Sequence, residues 1–522
     1  PANQTGLSVP GRNYDAYPGT EQVVGRLTTV WKPNDSFDAT FKFMYSDRKD
    51  NSANGSTVLI HCEDGAHPNY NNLLTGQMGL DTYVDCSKRQ TVGNTLPDRI
   101  LAGFPRAPED GKYYSKAKQK LFSLVWDYRF GNMTLSSNTG YYDLTGGQFD
   151  NFDMDAFSET PVLQEENTET WTQELRLASS FDGPLNFTIG GFYERERRNF
   201  WQEARIFTFE ALPGLENGYP VPGPFFGFTS DYINDDRNRT KTYSAFGQLS
   251  WKIRDDIELT AGGRYTEAKK SSDIGQTFQY FDIIAPNVPS FTPGGNVYFV
   301  KKKYDNFSPE ATLSWKATDD VLLYVAYKTG FLAGGIQNSG IIPNYTAAQG
   351  FTQEEYTDLL SYDPEKARGF EVGMKGVFFD GRLNADLTLF DYDLKKVQIA
   401  TYHVDTTSFT VGNAASAIHR GAELNLVFEA TDSLQLTAYY GYYFNKFDKY
   451  DNAPCYPGQT AAQGCIGGLQ DLSGRRFSSG PWQLRGGVQY HTPITDSYGI
   501  GFSADISHVA EAYEINGQPN TA

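Results

Sequence analysis

The stretch Lys241–Lys252, KTYSAFGQLSWK, decides the fold class. Tyr243, Ala245, Gly247, Leu249 and Trp251 fall on one parity, and Ser244, Phe246, Gln248, Ser250 and Lys252 on the other. A period of two belongs to a β-strand with one apolar and one mostly polar face. The next segment repeats it, with Ile257, Leu259, Ala261, Gly263 and Tyr265 against Glu258, Thr260, Gly262, Arg264 and Thr266. Further along, Phe370, Val372, Met374, Gly376 and Phe378 alternate with Glu371, Gly373 and Lys375. Ala422, Leu424, Leu426 and Phe428 alternate with Glu423 and Asn425. A soluble β-sandwich and a transmembrane β-barrel both show this pattern.

Composition narrows the choice. The 522 residues include 34 Tyr, 36 Phe and 51 Gly but only 5 Met, which suits strands with aromatic girdles and not helices. Mean hydropathy is −0.51, and no apolar run approaches the roughly 20 residues of a helical span. That excludes membrane helices and leaves barrels untouched, because lipid-facing and lumen-facing residues average out. A formal charge of −18 argues against a nucleic-acid or anionic-surface binder, which needs basic patches. The 15% aromatic content excludes a disordered acidic tail.

The connections separate sandwich from barrel. Tight turns fall at Lys32 to Ser36, Gly131-Asn132, Phe181 to Pro184, Arg254 to Asp256, Thr318 to Asp320, Asp380-Gly381, Thr431 to Ser433 and Thr492 to Ser497. Most carry Gly, Pro, Asn or Asp, as short hairpins require. Longer connections lie between them, near 46–115, 143–168, 198–238, 271–302, 331–366 and 448–480, with a short one near 404–414. Short turns on one rim and long loops on the other are the pattern of periplasmic turns and extracellular loops. These hairpins imply an all-β antiparallel transmembrane barrel of about 16 strands across 1–522, with no Gly/Ser- or Pro-rich linker to divide it.

An ordered set of residues also carries a family resemblance. Tyr327-Lys328-Thr329-Gly330-Phe331, Gly334-Gly335, Pro364-Glu365, Asp380-Gly381-Arg382-Leu383, Phe390, Tyr392, Gln398, Asn413-Ala414 and Gly421-Ala422-Glu423 resemble the C-terminal half of TonB-dependent outer-membrane receptors. Thr172 to Leu177, Gly190 to Tyr193 and Gly263 to Glu267 are similar to upstream strands of that family. The resemblance implies a barrel of about 22 strands filled by an N-terminal plug, so the chain reads as the barrel portion, truncated at both ends and without the plug. It further implies a location in the outer membrane of a Gram-negative bacterium, contact with outer-membrane lipid and lipopolysaccharide, and coupling to TonB through the plug. The expected activity is uptake of a scarce nutrient, foremost a ferric siderophore complex; glycans and cobalamin are alternatives. A passive porin-like channel and a secreted β-rich hydrolase are rival readings.

Candidate site residues fall in two groups. Loop aromatics Tyr70, Phe225, Phe226, Tyr280, Phe281 and Tyr345 offer stacking surfaces for a ligand, or simply pack the loops against one another. Glu174, Arg176, Glu194, Arg264, Glu371, Lys375 and Glu423 share the lumen parity and would face the plug, tune an open channel, or merely solvate the wall. Four cysteines make two local pairs, Cys62 with Cys86 and Cys455 with Cys465, and the route through an oxidising periplasm favours two disulfides. A metal site around His61, Cys62, Glu63, Asp64 and His67 matches no structural zinc spacing. The six His show no metal-binding helical pair, and neither a Gly-x-Ser-x-Gly elbow nor a Gly-rich phosphate loop occurs, so no enzyme and no cofactor is expected.

Overall fold

Side chains close the hairpins of this chain by one repeated device. Asn34 Oδ1 accepts the Ser36 N–H at 3.0 Å, and the hydroxyls of Thr318, Thr431 and Thr495 accept the N–H two residues on, at 3.3, 3.2 and 3.3 Å. Such side-chain turns substitute for a backbone hydrogen bond at the bend. Gly131 closes another turn at φ +54°, a region that costs a residue with a Cβ. The computed structural model describes residues 19–51, 96, 101, 104, 106–151, 161–206, 230–278, 296–337, 351–403, 408–456, 459–477 and 480–511.

Tight turns join β1 (Thr20–Asn34) to β2 (Phe37–Asp50), β3 (Tyr114–Phe130) to β4 (Met133–Asn151), and β5 (Pro161–Ser179) to β6 (Leu185–Ile206). They likewise join β7 (Ser230–Arg254) to β8 (Ile257–Phe278) and β9 (Asn296–Thr318) to β10 (Val321–Leu332). Two short strands follow, β11 (Gly335–Ile336) and β12 (Ser361–Tyr362), with helix α1 (Gln353–Leu359) between them. Then come β13 (Glu365–Phe378), β14 (Leu383–His403), β15 (Ser408–Thr431) and β16 (Leu434–Lys449). Short β17 (Ala453–Pro454) and β18 (Leu469–Gln470) precede β19 (Trp482–Thr495) and β20 (Tyr498–Val509). Omitting the four short strands, all are neighbours in sequence order in one 16-stranded antiparallel sheet whose edges are β1 and β20. All eight tight turns of the sequence reading are present, on one rim.

The outward face is the apolar one. Phe370 is 60% exposed while the side chain of its neighbour Glu371 is only 18% exposed, so the two parities of β13 lie on opposite sides of the wall. Ile189, Leu249, Trp251, Leu313 and Trp315 share the outward band. Tyr193 and Tyr243, paired across β6 and β7 with ring centroids 5.2 Å apart, mark its upper border. No helix among the described residues is long and apolar enough to cross a membrane.

One expectation needs correction. The strands run further into the long connections than the sequence boundaries at 143–168 and 198–238 allowed: β5 already begins at Pro161 and β6 continues to Ile206. Above the tyrosine pair apolar residues occur on both faces, with Ile274, Tyr298 and Val300 inside and Phe149 and Leu163 outside, so the period-two signal disappears although backbone pairing continues. Cross-strand pairs such as Glu166 with Arg198, at 2.9 Å, support it there.

Long connections fold back onto this tall wall. Ile336, Tyr356 and Leu360 pack on Ile274, Tyr298 and Val300 of the inner face. Helix α1 starts at a capping box, with the Thr352 hydroxyl accepting the Glu355 N–H and the Glu355 carboxylate accepting the Thr352 N–H. In the connection before β19, Tyr450, Ala453 and Leu472 pack on Ala415, Ala417 and Phe447. A disulfide joins Cys455 to Cys465 there, with Cα atoms 5.8 Å apart. Leu96, Phe104 and Tyr113 instead cover Phe149 and Leu163, the latter on the outward parity of Trp171.

Candidate functional site

Parity decides which polar groups share the interior, and register decides which of them meet. On β13, Glu371 stands between β10 and β14. Its carboxylate accepts the Lys328 ammonium at 2.7 Å on one oxygen and the Tyr392 hydroxyl at 2.6 Å on the other. Further round the wall, Glu423 accepts from the Tyr443 hydroxyl at 2.9 Å, and Tyr443 and Tyr439 hydroxyls lie 2.6 Å apart. Gln483 Nε2 donates to both tyrosines, at 3.1 and 3.2 Å. His419 contacts Asn445 and lies 4.8 Å from the Phe390 ring. Six strands, β10, β13, β14, β15, β16 and β19, thereby form one inward surface of carboxylates held by phenols and an ammonium, with an amide bridging two of the phenols. Such a surface is amphipathic and keeps polar groups in fixed directions.

A second region lies on β5 to β10, where a cavity of 760 Å³ is lined by Arg176, Glu194, Glu196, Arg264 and Lys270 among others. Arg264 lies 5.3 Å from both the Phe192 and Phe246 ring centres. Gly190 makes room for that stack: a Cβ there would come within 2.4 Å of the Phe246 ring and 2.7 Å of the Leu175 carbonyl. Thr242 donates to Glu194 at 3.2 Å. The combination offers a cation held between aromatic faces beside carboxylates, able to meet an anionic or planar ligand group.

Above the apolar band, Asp236 is fully buried on the inner wall. Asn234 Nδ2 donates to one of its oxygens at 2.9 Å, and the other has no hydrogen-bond partner. Burial pushes its carboxyl up to about 8, with the Asn234 bond acting in the opposite direction.

The seven expected lumen residues thus occupy inner positions in three groups. Arg176, Glu194 and Arg264 line the cavity; Glu371 and Glu423 each anchor a network. Lys375 is in register with Leu322 and Asp386, and Glu174 with Asn138 and Phe192, outside those networks. The partners Lys328, Tyr392, Tyr439, Tyr443 and Gln483 are not among the expected site residues, although Lys328 and Tyr392 belong to the family-like motifs; strand register places Lys328 and Tyr392 two residues from the positions opposite Glu371, and Tyr439 and Tyr443 two residues either side of the position opposite Glu423. Tyr70, Phe225, Phe226, Tyr280, Phe281, Tyr345, Cys62 and Cys86 lie outside the described residues. Among the described residues, no group of three or more His, Cys, Asp or Glu is placed to hold a metal ion.

Comparison with known proteins matches residues 63–522 to the family described as TonB dependent receptor-like, beta-barrel. The ferric-pyoverdine M114 receptor PbuA of Pseudomonas sp. (strain M114) is 25% identical over 202 residues, 39% of this chain and 21% of that protein. The metal-pseudopaline receptor CntO of Pseudomonas aeruginosa is 30% identical over 129 residues, 24% of this chain and 17% of that protein. Among solved structures, the ferric yersiniabactin uptake receptor FyuA from Yersinia pestis superposes with a TM-score of 0.63 at 13% identity, covering 97% of this chain and 62% of that one. The chain therefore spans less than two thirds of that structure and about a fifth of the curated relatives.

Proposed function

The chain belongs to the TonB-dependent receptor-like β-barrel family, and from that premise we propose that it forms the wall of an outer-membrane receptor for a ferric siderophore or a similar metal chelate. The family consists of bacterial outer-membrane receptors and transporters, and enzymes are not among its members. The inner surface is the observation that carries the proposal. Its carboxylates are tied to neighbouring phenols and an ammonium group, as at Glu371 and Glu423. Such a wall suits a globular plug that docks by hydrogen bonds and partly releases during transport. The names of PbuA, CntO and FyuA, each a receptor for a metal chelate, support the choice of ligand class.

In this reading TonB supplies energy through the plug, and the sheet closes through strands that pair with the free edges of β1 and β20, since unpaired backbone is not tolerated in lipid. The loop aromatics Tyr70, Phe225, Phe226, Tyr280, Phe281 and Tyr345 are candidate contacts at first capture, and Arg264, on the inner wall below the level of the Tyr193–Tyr243 pair, is a candidate contact further inward. Lys375, Glu371 and Glu423 then face the plug. A panel of labelled ligands offered to cells lacking and regaining the full-length protein tests the ligand class. Ferric siderophore uptake should depend on the protein. Restored uptake of cobalamin or a maltodextrin alone would replace the metal-chelate reading.

A further inference from the structure

The inner wall differs from one run of strands to the next. On β14 to β16 it carries large rings: Phe390 lies 4.8 Å from the His419 ring and 6.4 Å from the Tyr443 ring, and Tyr439 is hydrogen-bonded to Tyr443. On β7 and β8 the inner parity places Thr242 opposite Ala268 and Ser244 opposite Thr266, the last two hydroxyls being 3.0 Å apart. These small side chains leave room for the 760 Å³ cavity, a size within the roughly 300–1,000 Å³ of small-molecule sites.

The cavity is a trough that follows the strands. On β7 its lining runs from Thr240 down to Gln248, about 26 Å of strand. The Tyr193–Tyr243 pair at the upper border of the apolar band falls within that run, with Glu196 and Lys270 above it and Arg176 and Arg264 below. The trough therefore leads from above the border into the membrane span. Glu196 and Lys270 flank Thr240 from either side, so the upper charges offset each other. Lower down, Arg176 and Arg264 share one row with Gly190 and Phe246 between them. Among the described residues neither arginine forms an ion pair, and Arg264 is held instead against the Phe192 and Phe246 rings. A guanidinium fixed on aromatic faces attracts an anion strongly, and two such cations in one row let the anion pass from one to the other.

We propose that this trough is the route by which the ligand passes the plug, and that the ligand is an anionic ferric chelate. The plug bears on the large rings of β14 to β16 and on the tied carboxylates beside them, where the wall stands furthest inward. The space it leaves lies along β6 to β9, and the chelate moves down that side past Arg264 and Arg176. Attraction at these two residues is strong enough to draw the anion in and, without a closed ring of donors around it, weak enough to release it. The inference rests on the plugged-receptor reading and deepens it, assigning the path to one side of the wall and a negative charge to the cargo.

The test uses cells carrying the full-length protein as wild type, Thr242→Leu or Thr242→Trp, two steps in filling the trough. The probes are radio-iron bound by a tricatecholate, an anionic complex, and by a trihydroxamate, a neutral one. Surface binding is measured without TonB and initial entry rate with it. Binding should stay within about 2-fold of wild type, and entry should fall with side-chain volume, by at least about 10-fold for Thr242→Trp, since overfilling a packed space costs about 1–3 kcal/mol. The double variant Arg176→Gln, Arg264→Gln should slow the anionic complex by at least about 5-fold and the neutral one by less than about 2-fold. Wild-type entry rates in Thr242→Leu, or in a Thr242→Trp protein with the heat-modifiable gel mobility of a folded barrel, overturn the route. Equal slowing of both complexes by the arginine variant, or import of the neutral complex alone, overturns the charge assigned to the cargo. A wild type that binds neither complex overturns the ferric-chelate reading itself, an outcome distinct from bound ligand that enters regardless of the trough.

Discussion

Removing the Glu371 carboxylate probes the inner wall at its best-connected point. Glu371→Ala leaves the Tyr392 hydroxyl and the Lys328 ammonium without their acceptor. A hydrogen bond to a charged group contributes about 1.5–3 kcal/mol net when shielded. The Glu371 side chain is 18% exposed, so the 2.6 Å phenol bond should contribute about 1–2 kcal/mol. Lys328 is 45% exposed, and water reduces its share to below about 1 kcal/mol. Glu371→Ala should therefore cost about 2–3 kcal/mol, and a cycle with Tyr392→Phe should give a coupling of about 1–2 kcal/mol. The cycle with Lys328→Met should give less. Urea unfolding of the full-length protein in phosphatidylcholine vesicles, followed by tryptophan fluorescence, measures all of these. Additivity of Glu371→Ala and Tyr392→Phe within about 0.3 kcal/mol would refute the reasoning.

Other predictions follow from neighbouring sites. Charge reversal of Lys375 or Glu371 in the full-length protein should lower ferric chelate uptake or admit large antibiotics past a loosened plug; unchanged uptake and unchanged permeability would count against a plug-facing role. Gly190→Ala should displace Phe246 and loosen Arg264, at about 1–3 kcal/mol by vesicle unfolding, with Gly183→Ala, where a Cβ meets nothing within 4 Å, as the near-neutral comparison. Replacing Cys455 and Cys465 by Ser should raise hydrogen exchange across 450–477, equivalent to about 2–3 kcal/mol of local protection, and leave exchange in β13 and β14 unchanged. Asp236 has a folded-state pKa near 8 against an ordinary value of 3.8, so its contribution is present in full below pH 3.8 and is lost as pH rises through 8. Asp236→Asn should abolish that loss. Exchange rates around 230–240 should match wild type at about pH 3 and fall below it at about pH 9.

Much of the barrel was legible because lipid demands apolar residues at every second position. Leu249 and Trp251 against Gln248 and Ser250 leave no other strand register, and the turns at Asn34, Thr318 and Thr431 announce themselves through residues that bend the chain. Above Tyr243 that demand ends. Glu166 and Arg198 occupy paired strands that single-chain periodicity cannot distinguish from loop, because apolar residues there fall on both faces.

Interior residues were legible as a class, not as sites. Glu371 could be assigned to the lumen by parity, but its link to Tyr392 depends on the register of the hairpin between them. The summed charge is equally silent about placement: Arg195 and Lys241, 46 residues apart in sequence, are brought side by side by the pairing of β6 with β7. Global composition averages over faces that the fold keeps separate.

The central claim is energised, gated uptake through this wall. Its most direct measurement is the initial rate of radiolabelled ferric siderophore entry into cells carrying the full-length protein, with and without TonB, across a range of ligand concentrations. The account predicts saturable uptake that disappears without TonB. Linear, unsaturated uptake that persists without TonB would contradict it and identify an open channel.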